Sequence, residues 1–197
     1  MKISRSQQRA AMQLFTARSW PQRLGAMFVL VVAFVSWWQH EQVKPGQMVK
    51  GGLLQGQVVA VADGDTITLQ DGEKREYKLR LAYIDAPEKA MPYGAEAKRH
   101  LAQLVEDKTV AARIDDVDAY GRGVARIELD GTDINYALLA SGHAWHYSQY
   151  ARKAQSDDAY SRYQAAQGKA RHGKTGLWHD ASPTPPWEWR RAQKQEQ

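Results

Sequence analysis

Two carboxylates bracket a single glycine in Asp63-Gly64-Asp65, and two more follow in Arg80-Leu81-Ala82-Tyr83-Ile84-Asp85-Ala86-Pro87-Glu88. Like charges set this close repel one another unless something nearby offsets them. Asp65 and Asp85 fall at the ends of neighbouring predicted strands, where they offer hard oxygen ligands to one divalent cation that would cancel the repulsion. Arg80, five residues before Asp85, and Arg122, set between two glycines in Asp118-Ala119-Tyr120-Gly121-Arg122-Gly123, carry planar forks that suit phosphate oxygens. Glu88 is a carboxylate left over from metal binding, able to orient or deprotonate a water for attack on phosphorus. Each residue alone has a plain structural reading: Asp-Ala-Pro ends a strand, Glu88 is a solvated loop acid, and Arg122 is a turn residue. Only the combination points to hydrolysis of a phosphodiester.

Short elements must carry these residues. Alternation predicts strands over Leu53–Ala62, Thr66–Gln70, Glu76–Ile84, Val110–Ile114 and Val124–Leu129, with Asp71-Gly72 and Asp130-Gly131 as turns. A helix starting at Gly94 places Ala97, Leu101, Leu104 and Val105 on one stripe. Asp133 caps a second helix that stops at Gly142, and a third covers Ser156–Arg171. The tail Ser182-Pro183-Thr184-Pro185-Pro186-Trp187-Glu188-Trp189-Arg190-Arg191 holds too much proline for a helix, and its tryptophans are expected to pack on the domain. Five strands with a helix after the third predict an α+β fold: an oligonucleotide-binding-type (OB-fold) five-stranded β-barrel with about three packed helices, plus an N-terminal hydrophobic helix. An offset of five would put Arg80 and Asp85 on opposite faces of a regular pleat, so a bulge or strand end must intervene. The glycines beside Arg122 let the backbone bend so that its side chain can reach back.

The charge of +5 lies wholly in the leader: residues 1–40 hold five basic residues and no acid, while 22 basic and 22 acidic residues follow. Contact with an anionic polymer must therefore rest on local arginines or a bound cation, not on a general basic field. With no cysteine, disulfides, thiolate metal sites and cysteine nucleophiles are excluded. The uncharged run Leu24–Trp38 follows the basic segment, ends in paired tryptophans and lacks a cleavage signature. It reads as an uncleaved signal anchor with the rest of the chain exported to the cell envelope, a cleaved signal peptide being the alternative. The expected domains are the anchor (1–40), a linker (41–52), a barrel domain (53–180) and a tail (181–197). His143 and His146 have a spacing that can hold zinc, but no third ligand is evident, and packing around Trp145 is the stronger reading.

The segments VADGDTITL, LRLAYIDAPE, YGAEAKRHL, DAYGRGVARI and INYALLASGHAWHY, in that order, resemble the staphylococcal nuclease (thermonuclease) family over about Gln55 to Trp178. The resemblance implies a calcium-dependent phosphodiesterase that cleaves DNA and RNA and leaves 3′-phosphates. It implies Ca2+ on Asp65, Asp85 and the backbone carbonyl of Ala86, with Asp63 as an outer acid. Arg80 and Arg122 match phosphate-binding arginines, and Glu88 matches the general base. Tyr120, Tyr147 and Tyr150 are the candidate substrate-binding aromatics. The register puts Ser148, not a tyrosine, at one of two paired-tyrosine positions of the family, so base preference is where this chain departs from the pattern. Two other readings stay open: a non-catalytic nucleic-acid-binding barrel on the same fold, and a calcium-stabilised envelope protein. No obligate protein partner is expected; the membrane is met through the leader alone.

Overall fold

The computed structural model describes residues 48–195 together with Val31. The anchor run and most of the linker lie outside these described residues; among those described, no helix is long and apolar enough to cross a membrane.

Five strands form a closed barrel: β1 (Leu53–Val61), β2 (Thr66–Gln70), β3 (Glu76–Leu81), β5 (Thr109–Val117) and β6 (Gly123–Leu129). Their order is β3-β2-β1-β5-β6, and a parallel β3–β6 pairing closes the ring. Closure leaves none of these strands with an open edge. Alternation along the strands fills the interior with Val58, Ile67, Leu69, Leu79, Ile114 and Ile127, each at most 1% exposed. Just before β1, Gly51 N–H donates to Ile114 O (2.7 Å) and Ile114 N–H to Gly52 O (2.9 Å), which ties both glycines to β5.

The predicted third strand, Glu76–Ile84, is broken. Tyr83 adopts a left-handed conformation (φ 67) between β3 and the short β4 (Ile84–Asp85), which pairs antiparallel with β8 (Trp145–His146). Buried Asn135 fixes this break: its Nδ2 donates to Ala82 O and Ala125 O, both 3.0 Å, while its Oδ1 accepts from Ile127 N–H at 3.0 Å. The expected interruption between Arg80 and Asp85 is thus a strand end with one residue at positive φ. In the Asp71-Gly72 turn the left-handed residue is Lys74 (φ 60), and the Asp71 side chain caps the loop through the Glu73 and Arg75 amides.

Among the described residues five α-helices surround the barrel, against about three expected: α1 (Gly94–Val105), α2 (Ile134–Ala140), α3 (Ser148–Ala154), α4 (Asp157–His172) and α5 (Pro186–Gln195). A two-residue strand, β7 (Thr132–Asp133), precedes α2. Asp133 caps α2 through the Tyr136 amide (2.9 Å), and Ser156 caps α4. The tail expectation is overturned by α5. Its first residue is Pro186, at the position where a missing N–H breaks no helical bond, and Pro185 O accepts the Glu188 and Trp189 amides. The prolines start the helix rather than forbid it.

Candidate active site

Strand pairing brings the first two charged groups together. Thr66 lies opposite Arg80 in the β2–β3 register, and Leu81 N–H donates to Asp65 O at 2.8 Å, so Asp65 flanks Arg80. Arg80 Nη1 donates to Asp65 Oδ1 (2.9 Å), and its Nη2 donates to Asp85 Oδ1 (2.6 Å). One guanidinium therefore bridges two carboxylates that are 3% and 0% exposed. Asp65 Oδ2 also accepts the Ala86 amide at 3.0 Å. Asp63 turns Oδ1 onto the Asp65 amide (3.0 Å), closing a tight Asx-type turn around the glycine. Gly64 is there for space: a Cβ would stand 2.7 Å from the Cβ atoms of both Ala86 and Ala97. Burial pushes the Asp65 carboxyl up to about 7, although the Arg80 guanidinium pulls the other way; the charges of Asp63 and Asp85 add to the rise.

The sequence reading missed a third basic group. Arg190, on α5, places Nη2 on Asp85 Oδ2 (2.6 Å) and Nη1 on Asp85 Oδ1 (3.2 Å) and Glu88 Oε1 (2.6 Å). Although burial alone would lower the Arg190 pKa, hydrogen bonds and charge from Asp85 and Glu88 raise it, so it is a fixed cation. One turn earlier, the Trp187 ring stacks on Tyr147 (5.4 Å, 13°) and meets Trp145 edge-on (5.7 Å). The signal was the three-residue spacing of Trp187 and Arg190, which puts both on one helical face once a helix starts at Pro186.

Beside this cluster opens a cleft of about 410 Å³ that Arg80, Arg122, Tyr120, Tyr147, Tyr150 and Asp118 help to line. Arg122 is held by Asp118, which accepts Nε at 2.7 Å and the Arg122 amide at 2.9 Å. The Arg122 guanidinium also lies 5.5 Å from the centre of the Tyr120 ring, which is 86% exposed. Gly121 supplies the positive φ of 77 that turns this loop, and Gly123 lies against Met48, Leu79 and Ile114 with no room for a side chain. The Tyr147 and Tyr150 rings lie 6.4 Å apart at 21°, while Ser148 is exposed. The structure thus brings Asp63, Asp65, Arg80, Asp85, Ala86 and Glu88 into one linked cluster, and Arg122 with the three tyrosines onto the adjoining cleft. His143 and His146 have separate surroundings: His143 stacks on His100 (3.9 Å) and meets Ser141, whereas His146 meets Gln155 at 3.0 Å.

Among the described residues no group of three or more His, Cys, Asp or Glu is gathered as a protein-only metal cage. The donor set here is two buried carboxylates beside a buried main-chain segment at Ala86. That is a set of hard oxygens of the kind an oxygen-seeking divalent cation takes, and in this structure Arg80, Arg190 and the Ala86 amide occupy them.

The family model described as staphylococcal nuclease homologue matches residues 78–180. An uncharacterized endonuclease of Escherichia coli O157:H7 is 40% identical over 138 residues, 70% of this chain and 85% of that protein. A similarly named protein of Haemophilus influenzae is 37% identical over 137 residues, 70% and 73% of the two chains. A probable staphylococcal-like nuclease of Oryza sativa subsp. japonica is 40% identical over 117 residues, 59% of this chain. This chain spans only about a third of that plant relative's length, 33%.

Proposed function

The chain belongs to the staphylococcal nuclease homologue family, and from that premise we propose that it is a nuclease, a calcium-dependent phosphodiesterase acting on DNA and RNA. The observation that carries this reading is the Arg80 guanidinium clasped by Asp65 and Asp85 at the edge of a cleft that Arg122 also lines. Asp65, Asp85 and the Ala86 carbonyl would hold the ion, with Asp63 behind them, and when bound it supplies Lewis-acid polarisation of a non-bridging phosphate oxygen. Glu88 takes the proton of the water whose oxygen bonds to phosphorus. The bond from phosphorus to the 5′ oxygen breaks in line, the departing oxygen takes up a proton from solvent to become a hydroxyl, and the phosphate stays on the 3′ side. Arg80 and Arg122 stabilise the charge that grows on the phosphoryl oxygens, an effect realised mainly in the transition state. Tyr120, Tyr147 and Tyr150 flank the cleft, where aromatic rings can stack on unpaired bases.

The competing reading is a barrel that binds nucleic acid without cutting it, because a fold does not by itself determine function. Such a protein has no need of Glu88 beside the two acids. Single-stranded DNA incubated with the protein in calcium or in chelator separates the two. Cleavage in calcium alone, with 3′-phosphate ends on a sequencing ladder, is the expected result, and chelator-insensitive binding without cleavage would overturn it. The leader is proposed to anchor an exported domain, and determining the N-terminus of the mature protein tests that.

A further inference from the structure

Glu88 sits in the loop between β4 and α1, outside any strand or helix, yet its carboxylate is tied down. Arg190 Nη1 donates to Glu88 Oε1 at 2.6 Å, and the same guanidinium grips both oxygens of Asp85, which is wholly buried. Glu88 Oε2 carries no hydrogen bond among the described residues, and the Glu88 side chain is 38% exposed. The helix that delivers Arg190 is itself fastened. Trp187 stacks on Tyr147, and Trp189 borders a small cavity with Pro87 and Met91 of the Glu88 loop.

We propose that Arg190 is a positioning residue: it holds one oxygen of Glu88 against the rigid Asp85 and leaves the other turned to water. This rests on the nuclease reading, in which Glu88 takes a proton from water. A loop glutamate without such a clamp would distribute over several rotamers, few of them productive, because a general base works only within hydrogen-bond reach of its proton. The planar fork is what lets one side chain serve two carboxylates, so lysine is a poor substitute.

The test compares full-length wild type, Arg190→Ala, Arg190→Lys, Glu88→Gln and the Arg190→Ala/Glu88→Gln double variant on single-stranded DNA in calcium. Arg190→Ala should lower kcat by about 10- to 100-fold with KM within about twofold, and Arg190→Lys should recover only part of that. In the Glu88→Gln background the Arg190→Ala loss should disappear, since a residue that acts through Glu88 has nothing left to position. An equal loss in both backgrounds, a loss carried by KM, or a gain in rate would overturn the proposal; the gain would mean that α5 obstructs the site. Amide exchange gives a readout independent of activity. The Met91 amide donates to Glu88 O (2.8 Å) and the Gly94 amide to Met91 O (3.1 Å). Both should exchange about tenfold faster in Arg190→Ala while α4 amides stay unchanged, and unaltered exchange of the loop would refute the clamp. If wild type cuts no DNA, the nuclease reading fails and the exchange result still decides the role of Arg190.

Discussion

Asp65 and Asp85 are two buried carboxyl groups that share the Arg80 guanidinium, whose side chain is 21% exposed, whereas Arg122 pairs with a single half-buried acid, Asp118. The two arginines should therefore separate when replaced. Arg80→Ala leaves two buried carboxylates without that partner and should cost about 3 to 5 kcal/mol of stability in denaturant unfolding, on top of abolishing cleavage. Arg122→Ala breaks a pair near the surface and should cost no more than about 1 kcal/mol. It should nevertheless lower kcat/KM by about a hundredfold or more, because its charge matters in the transition state. An Arg122→Ala protein as active as wild type would remove that residue from the proposed chemistry. Both arginines were readable from sequence because local features mark them: Arg80 precedes Asp85 by five, and Arg122 lies between two glycines. Arg190 was not, because its partners Asp85 and Glu88 lie about a hundred positions earlier and nothing near the C-terminus hints at them.

At the scale of elements, the break at Tyr83 and the turn at Gly64 decide whether the acids converge. An unbroken β3 would send Asp85 to the opposite face from Arg80. Gly64 lets α1 and the Ala86 segment close on the Asp-Gly-Asp turn, so Gly64→Ala must push Ala86 or Ala97 away. The expected penalty is about 1 to 3 kcal/mol in chemical denaturation, the usual range for overpacking, together with a loss of activity as Asp65 shifts. A Gly64→Ala protein of wild-type stability and rate would show that the close approach is dispensable. The five barrel strands, α1, α2 and α4 were legible from alternation, helical stripes and caps, whereas the two-residue strands β4, β7 and β8 were not. Two helices were not: α3 is as short as α2 but starts after Tyr147 with no side-chain cap to mark it, and α5 hides behind prolines that ordinarily signal its absence.

For the molecule as a whole, pH and salt give the broadest tests. Burial lowers the pKa of His143 to about 4, with His100 stacked on it adding to the effect and Ser141 and Glu96 opposing it; His100 and His146 are lowered by burial too. Each binds a proton less readily folded than unfolded. The His143 contribution to stability is complete above pH 6.5 and is lost as pH falls toward about 4, His100 and His146 act in the same direction, and the raised Asp65 carboxyl works in the opposite sense. In melting curves, the stability difference between wild type and His143→Gln should grow as pH rises from about 4 to 6.5 and stay constant above 6.5. Curves that stay parallel would mean His143 titrates normally. On the proposed nuclease reading, the balanced charge after residue 40 makes Arg80 and Arg122 the main phosphate contacts. Binding of single-stranded DNA by the Glu88→Gln variant should then fall with log salt at a slope of about −1.4, two contacts at about 0.7 each. A much steeper slope would reveal a basic face that the composition does not suggest.

By itself the sequence determined much of the strand and helix alternation, the absence of thiol chemistry, the location of the excess charge and the residue types of the charged cluster. These follow from local patterns and from chemistry that each side chain carries wherever it sits. Only the tertiary structure decided that Arg80 bridges both acids, that a left-handed Tyr83 turns Asp85 toward it, and that the C-terminal helix returns to grip Glu88. Those contacts join residues far apart in the chain, and they exist only once barrel closure and helix packing have brought the segments within a few ångströms.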